Sequence, residues 1–343
     1  MLTTVAATIF VFGMLVLVHE LGHFITAKLT GMRVSEFAIG FGPKLLWKKR
    51  GETEYSVRMI PLGGFNKIDG MDPEEEQDER SFSSKPVWAR ALVIAAGSCM
   101  NFVLPVLLFT IVFLWNGIET VSDKPVIGAL IPNKPAIQSG IAAGDTVLTV
   151  NGAPVETWQQ VVETIRVSKD SLKLEIRTKD GKTRNVTMIP EIDAKSGRAL
   201  IGIVPVIDRQ IPGFFESISL SVKHTYTIAG KMLAGLGQMF TGQAEADIAG
   251  PIGVMRLTGE MAQLGFIPLL QFAAFLSINL GLINLLPVPL LDGGHIVTLM
   301  VEAVRRKPLN STQVRYIQMV GMALLGLLMV FATFKDLLRL NVF

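Results

Sequence analysis

Apolar positions run unbroken in four stretches of this 343-residue chain. Each is long enough to cross a bilayer core, which takes about 20 mostly apolar residues in helix. The first runs from Leu2 to about Leu29 and carries no ionisable side chain before His19 and Glu20. The second, Ala91 to Trp115, has only Ser98 and Asn101 as strongly polar members. The third runs from about Phe266 to Leu286 and the fourth from about Ile317 to Phe334. Trp88, Trp115 and Tyr316 sit near span ends, where amphipathic rings favour the membrane interface. Pro212 to Phe240 is apolar only in patches and carries Glu216, Lys223, His224 and Lys231. That pattern predicts an amphipathic helix on the outer surface rather than a fifth span.

Elsewhere the period shortens to two. Val126–Ile131, Thr146–Val150, Lys173–Thr178, Arg184–Ile189 and Ala199–Val204 read as strands, with turns at Asn151-Gly152 and Asp180-Gly181. Helices fit near Pro135–Ser139 and Thr157–Val167. Between Met32 and Lys85, Val34–Ile39, Leu45–Trp47 and Tyr55–Met59 read as a small antiparallel sheet, with turns at Gly40–Pro43 and Arg50–Glu52. The acidic run from Asp72 to Glu79 reads as a solvated loop. The predicted fold class is therefore a polytopic α-helical membrane protein with four transmembrane helices, an inserted β-rich module and a small membrane-associated β-sheet loop. Its expected divisions are the first helix at 1–30, the β-loop at 31–86 and the second helix at 87–117. The β-rich module follows at 125–206, an interfacial connector at 207–262, and the last two helices at 263–343.

Composition agrees with a bilayer: half the residues are hydrophobic and 18% are charged. Cys99 stands alone, so no disulfide framework exists. A net charge of +3 without a long basic run gives a nucleic-acid partner no support. Orientation follows from the basic residues of short loops. Residues 28–90 hold eleven of the 32 Lys and Arg, and residues 287–316 add Arg305, Arg306, Lys307 and Arg315. Both loops then face the cytoplasm, while both termini and the long 117–260 segment lie outside. The expected location is the cytoplasmic (inner) membrane.

The candidate chemistry lies in His19-Glu20-Leu21-Gly22-His23. Side chains four apart on a helix share a face, about 6 Å apart along the axis, so both imidazoles reach one metal ion. Glu20 is then placed to act on a bound water. Zinc suits neutral imidazole and does no redox chemistry. Three ionisable groups inside a span are expensive, which makes a functional reading the default. A catalytic zinc also wants a third protein ligand and one open position. Asp292 is the sole carboxylate between Glu260 and Glu302 and follows Pro287 and Pro289, which break the third span. Asp292 is the expected third ligand; the alternative is an N-cap of the helix starting at Gly293. For Asp292 to reach the depth of His19 and His23, the third span must run inward, which holds if residues 212–240 do not cross. His295 is a weaker candidate, because a fourth ligand would close the site. His224 falls outside the site.

Two resemblances rest on these residues. Pro135 to Gly152 resembles a PDZ domain of the bacterial protease type, a module that binds peptides by strand addition; a ligandless spacer is the alternative. His19–His23, Gly97-Ser-Cys-Met-Asn101, Gly250-Pro-Ile-Gly253 and Asn284 to Gly294 together resemble the site-2 protease family of intramembrane zinc metalloproteases, of the bacterial regulator-of-sigma-E type, over essentially the whole chain. The resemblance implies zinc held by His19, His23 and Asp292, with Glu20 as catalytic acid/base. It implies that Asn284, Pro287, Pro289 and Asn101 bind an unwound substrate, and that the loop sheet presents it as an added strand. The implied substrates are single-span membrane proteins of the anti-sigma type and signal-peptide remnants. Ser98 stands where many relatives have proline, and one PDZ module stands where the enterobacterial type has two. A membrane zinc transporter, a PDZ-bearing scaffold and a tethered protease acting on soluble chains are the competing readings.

Overall fold

The computed structural model describes residues 1–339 except 72–74, 76, 169, 193–198 and 244–249. Its helices are α1 (Leu2–Leu29), α2 (Val87–Asn116), α3 (Pro135–Gln138), α4 (Trp158–Val167), α5 (Phe214–Phe240), α6 (Pro251–Leu264), α7 (Phe266–Asn284), α8 (Asp292–Arg305) and α9 (Ser311–Arg339). The chain divides into two units, Met1–Asn116 with Gly213–Phe343, and Gly117–Pro212. Among the described residues, α1, α2, α7 and α9 are long and apolar enough to cross a membrane. The chain is thus a multi-pass membrane protein. α2 and α9 extend past the apolar stretches that mark them, because hydropathy reports membrane depth while the helix continues through polar flanks. α5 forms as a helix but does not meet the span test.

The helical unit packs around α2 and α7. Val11 and Leu15 of α1 meet Leu104, Leu108 and Val112 of α2, and Ala273, Ala274 and Ile278 of α7. Pro105 lies inside α2. Its missing N–H leaves the carbonyl four residues back, that of Asn101, without a helical donor. The Ser277 hydroxyl of α7 donates to that carbonyl at 2.9 Å. A proline that would otherwise expose a polar group within the bilayer thus becomes a point of contact between helices. α5 lies along α2 through buried Ser217 and Ser221, and the Thr110 hydroxyl donates to Ser221 Oγ at 3.1 Å.

The loop sheet consists of two long strands, β1 (Val34–Arg50) and β2 (Thr53–Ile68), joined by a tight turn. The expected turn at Gly40–Pro43 is instead an irregularity inside β1, absorbed as register shifts. Both strands bend, so residues 34–39 lie beside 64–68 on one side and 53–57 on the other. Met32, Val34 and Ile68 pack with Ala27, Val93, Ile94 and Leu299, which fixes the base of the sheet to α1, α2 and α8. At the turn, Glu52 accepts hydrogen bonds from Arg80 (2.7 and 2.8 Å) and Lys28 (2.6 Å). Arg80 first, then Lys28, pull the Glu52 pKa down to about 2. Leu46, Trp47 and Met59 are exposed next to Lys48, Lys49 and Arg50, a mixture suited to a lipid interface.

The second unit carries β3 (Ile118–Val121), β4 (Ile127–Leu130), β5 (Thr146–Val150), β6 (Ala153–Pro154), β7 (Leu172–Arg177), β8 (Thr183–Met188), β9 (Glu191–Ile192), β10 (Ala199–Leu200), β11 (Ile203–Pro205) and β12 (Ile207–Gln210). A four-stranded sheet runs β6-β5-β7-β8, while β4 pairs with β11 and β3 with β12. The expected strand over 199–204 is split, because its halves pair with different partners, β9 and β4. Val147, Trp158, Val161, Leu174 and Ile176 form the core. A capping box starts α4: Thr157 Oγ1 accepts the Gln160 N–H, and Gln160 Oε1 accepts the Thr157 N–H.

Candidate active site

The site forms where α1 crosses α2. Gly22 of α1 and Gly97 of α2 permit the crossing. A Cβ on Gly22 would run into the backbone of Ala96, and one on Gly97 would overlap the His23 ring. The two imidazoles of α1 stand edge to face, with centroids 4.8 Å apart. Their Nε2 atoms are 3.2 Å from each other. Asp292 completes a triangle, with Oδ2 3.7 Å from His19 Nε2 and Oδ1 3.5 Å from His23 Nε2. Tetrahedral zinc with ligand distances of about 2.0–2.2 Å sets its donors about 3.3–3.6 Å apart. The observed edges lie close to that range, so the donor set fits zinc. Among the described residues, His19, His23 and Asp292 are the cluster able to hold such an ion. Their side chains are 12% exposed.

Asp292 reaches this depth through a compact turn. α7 ends at Asn284, and residues 285–291 form a series of turns held by bonds such as Leu291 N–H to Val288 O (3.1 Å). Leu290 takes φ = +76°, a left-handed conformation that costs a branched residue on the order of 1–2 kcal/mol. Asp292 is then the first residue of α8 and makes no capping bond; Leu291 is the N-cap. Its carboxylate faces the histidines and the Ser98 hydroxyl, which donates to Oδ2 at 2.7 Å. Farther along α8, Glu302 accepts two hydrogen bonds from Arg90 of α2 (2.6 and 3.0 Å), which pins this helix beside the site.

Glu20 is held by a residue of the loop sheet. Asn66 Nδ2 donates to Glu20 Oε2 at 2.7 Å and to the Glu20 carbonyl at 2.6 Å. Nothing in the sequence marks Asn66, since only the bend of β2 brings it against α1. Asn101, expected at the substrate, is fully buried, with Nδ2 3.1 Å from His19 Nδ1. Asn284 is partly exposed at the end of α7, and Pro287 is exposed in the turn that follows. Pro289 packs against Gly321 of α9. His295 is outside the donor cluster and lines a cavity of about 190 Å³ together with Arg90, Thr298 and Gln318. His224 packs edge-on against Phe109, 4.6 Å between centroids, and takes no part.

Comparison with known proteins gives a consistent result. Residues 7–328 match the family described as Peptidase family M50. The zinc metalloprotease RasP of Bacillus licheniformis is 33% identical over 420 residues, covering 99% of this chain and 100% of the relative. The protein of the same name from Geobacillus kaustophilus is 34% identical over 418 residues, 98% of each chain. The regulator of sigma-W protease RasP of Bacillus subtilis is 31% identical over 419 residues, covering 98% of this chain and 99% of the relative. Among solved structures, the PDZ domain of an SdrC-like protein from Listeria monocytogenes matches 26% of this chain and 94% of its own, at 21% identity and a TM-score of 0.22.

Proposed function

Because the chain belongs to peptidase family M50 and is an intramembrane zinc metalloprotease, we propose that His19, His23 and Asp292 hold its zinc ion and that Glu20 is its catalytic acid/base. The donor triangle, closed by residues 269 positions apart in the chain from His23 to Asp292, carries this reading. Zinc bound there supplies Lewis acidity for the scissile carbonyl and for the attacking water. Glu20 takes a proton from that water and returns it to the leaving amine nitrogen. Asn66 holds the Glu20 carboxylate by one bond and its main-chain carbonyl by the other while this happens.

The substrate in this proposal is the transmembrane segment of a single-span protein. The name of the Bacillus subtilis relative supports a substrate in sigma-factor regulation; signal-peptide remnants rest on the family resemblance alone. A helix hides its carbonyls, so the segment must unwind before cleavage. Residues 64–68 of β2, next to Glu20, are suited to hold it extended by strand addition. Asn284, Pro287 and Pro289 line the approach to Asp292 and contact the unwound stretch. The basic short loops support a site near the cytoplasmic face of the inner membrane, with both termini and the PDZ module outside. There the module gates substrates by the size of their outer domains, with or without a peptide of its own. Family membership speaks against the transporter and scaffold readings.

The test is cleavage of a tagged single-span helix by purified protein in detergent, with Glu20→Gln beside the wild type and zinc measured in both. Chelator-sensitive cleavage by wild type alone, at equal zinc content, is expected. Cleavage by Glu20→Gln at the wild-type rate would refute the role of Glu20.

A further inference from the structure

All three donors of the triangle meet a polar group from one face of α2. The His23 Nδ1–H donates to the Val93 carbonyl at 2.8 Å, Ser98 Oγ donates to Asp292 Oδ2 at 2.7 Å, and the Asn101 amide stands against His19 Nδ1. Positions 93, 97, 98 and 101 fall on one face because steps of three and four return to the same side of a helix. We propose that Ser98 and Asn101 are positioning residues for zinc: they fix the carboxylate plane of Asp292 and the tautomer of His19, and so set how tightly the ion is held. This inference rests on the ligand assignment proposed above.

His23 shows what is required. Donation from Nδ1 to a carbonyl leaves Nε2 with its lone pair, pointing into the triangle. His19 needs the same state, so its Nδ1 must carry the proton and face an acceptor. The Gly97 backbone carbonyl is one acceptor beside the His19 ring, and Asn101 offers a side-chain acceptor at Nδ1. Its Oδ1 is buried and has no hydrogen-bond partner among the described residues, while Nδ2 occupies the place beside Nδ1. The two ends of an amide are nearly isosteric, and a half-turn puts Oδ1 there. That turn gives the oxygen the His19 Nδ1–H as its donor, moves the amide NH2 to the place Oδ1 leaves, and frees the lone pair of His19 Nε2. Position 101 is also unusually well fixed. Its side chain is fully buried, and its carbonyl, freed by Pro105, is taken by Ser277. Ser98 is equally buried, and with its hydroxyl on Oδ2 the Asp292 carboxylate cannot rotate away from the imidazoles.

The experiment measures zinc affinity rather than proteolysis. Full-length protein in detergent is equilibrated with chelator-buffered zinc, and bound metal is read by elemental analysis. Variants are Ser98→Ala, Asn101→Leu, Asn101→Asp and, as reference, Asp292→Ala; thermal unfolding of the zinc-free forms reports the fold. Ser98→Ala and Asn101→Leu should each raise the zinc Kd by about 10- to 100-fold, the usual effect of losing a partner of a metal ligand. Asn101→Asp keeps an acceptor of the same shape and should stay within about threefold of wild type. Loss of a buried hydrogen bond should lower the zinc-free unfolding midpoints of Ser98→Ala and Asn101→Leu by only a few degrees and leave the transition cooperative, so a 10- to 100-fold change in zinc Kd is not a loss of fold. Unchanged zinc Kd in Ser98→Ala and Asn101→Leu, with Asp292→Ala defective, would overturn this proposal and leave the ligand assignment standing. An Asn101→Asp as weak as Asn101→Leu would overturn the tautomer role. Wild-type affinity in Asp292→Ala would remove the ligand assignment and this proposal together.

Discussion

Gly97→Ala adds one carbon at the point where α2 meets the ligand His23. The added Cβ would stand 2.5 Å from Cε1 and 2.8 Å from Cδ2 of the imidazole, and closer still to Nε2. Ordinary contact begins at 3.4 Å, so the ring must retreat by roughly 1 Å, against a tolerance of about 0.2 Å in a metal–ligand distance. It has little room to do so, with Nδ1 on the Val93 carbonyl and the His19 ring 4.8 Å away. One donor of three is then lost. Removing the partner of a ligand alone costs 10- to 100-fold, so displacing the ligand itself should raise the zinc Kd by at least about 100-fold, or about 2.7 kcal/mol. The zinc-free protein should lose less, since the helix preference of alanine, up to about 1 kcal/mol, offsets part of an overpacking cost of about 1–3 kcal/mol at the crossing. The assay is a chelator-buffered zinc titration, with thermal unfolding of the apo form and cleavage of a single-span helix measured on the same samples. Gly326→Ala is the control, because a Cβ there has nothing within 4 Å. A Gly97→Ala protein that binds zinc within about threefold of wild type, with its fold intact, would refute the reasoning.

Two further predictions concern stability. Asp336 of α9 is 2% exposed and accepts the backbone N–H of Gly250 (3.0 Å) and of Gly253 (2.8 Å), so it caps α6 from another helix. Asp336→Ala should cost about 2–4 kcal/mol by leaving two donors bare, and Asp336→Asn about half that, read as a fall in detergent denaturation midpoint; a neutral Asp336→Ala would contradict the capping role. Glu52 has its carboxyl pKa depressed from 4.5 to about 2, by Arg80 and then Lys28. Its contribution is therefore fully present above pH 4.5 and is lost as pH falls through about 2. Glu52→Gln should lower stability at pH 7 by about 1 kcal/mol after solvent screening, and the gap from wild type should close by pH 2, whereas a pH-independent gap would show that charge is not involved.

What could be read from the residues follows how locally each feature is encoded. The four spans are runs of like residues, and the His19–His23 pair is a spacing within one turn of helix, so neither needs tertiary information. Asp292 required a longer inference from membrane depth, and its donor geometry then rests on a turn containing a left-handed Leu290. The Gly40–Pro43 segment misled because its composition signals a turn, whereas a bent strand absorbs the same residues as register shifts. Asn66 was out of reach, since its contact with Glu20 depends on that bend.

The rotation of α2 was partly legible, and the reason bears on how such a site is built. A helix apolar on every side has no hydrophobic face, so its periodicity does not say which side meets the protein. Its few polar groups do. Ser98 and Asn101 lie three apart, on one side of the helix, and either one turned to lipid would leave hydrogen-bonding groups bare where no water can satisfy them. Pro105 adds a third constraint, because it strips the helical partner from the carbonyl of Asn101 itself. Together these require that face of α2 to meet another polar element, and α1 offers one in His19, Glu20 and His23. The same residues that specify the packing of α2 against α1 and α7 therefore stand beside the ligands: Ser277 takes the carbonyl of Asn101, and its amide takes His19. In a bilayer, where apolar burial does not distinguish one helix face from another, the polar atoms that position the metal site are also those that orient the helix.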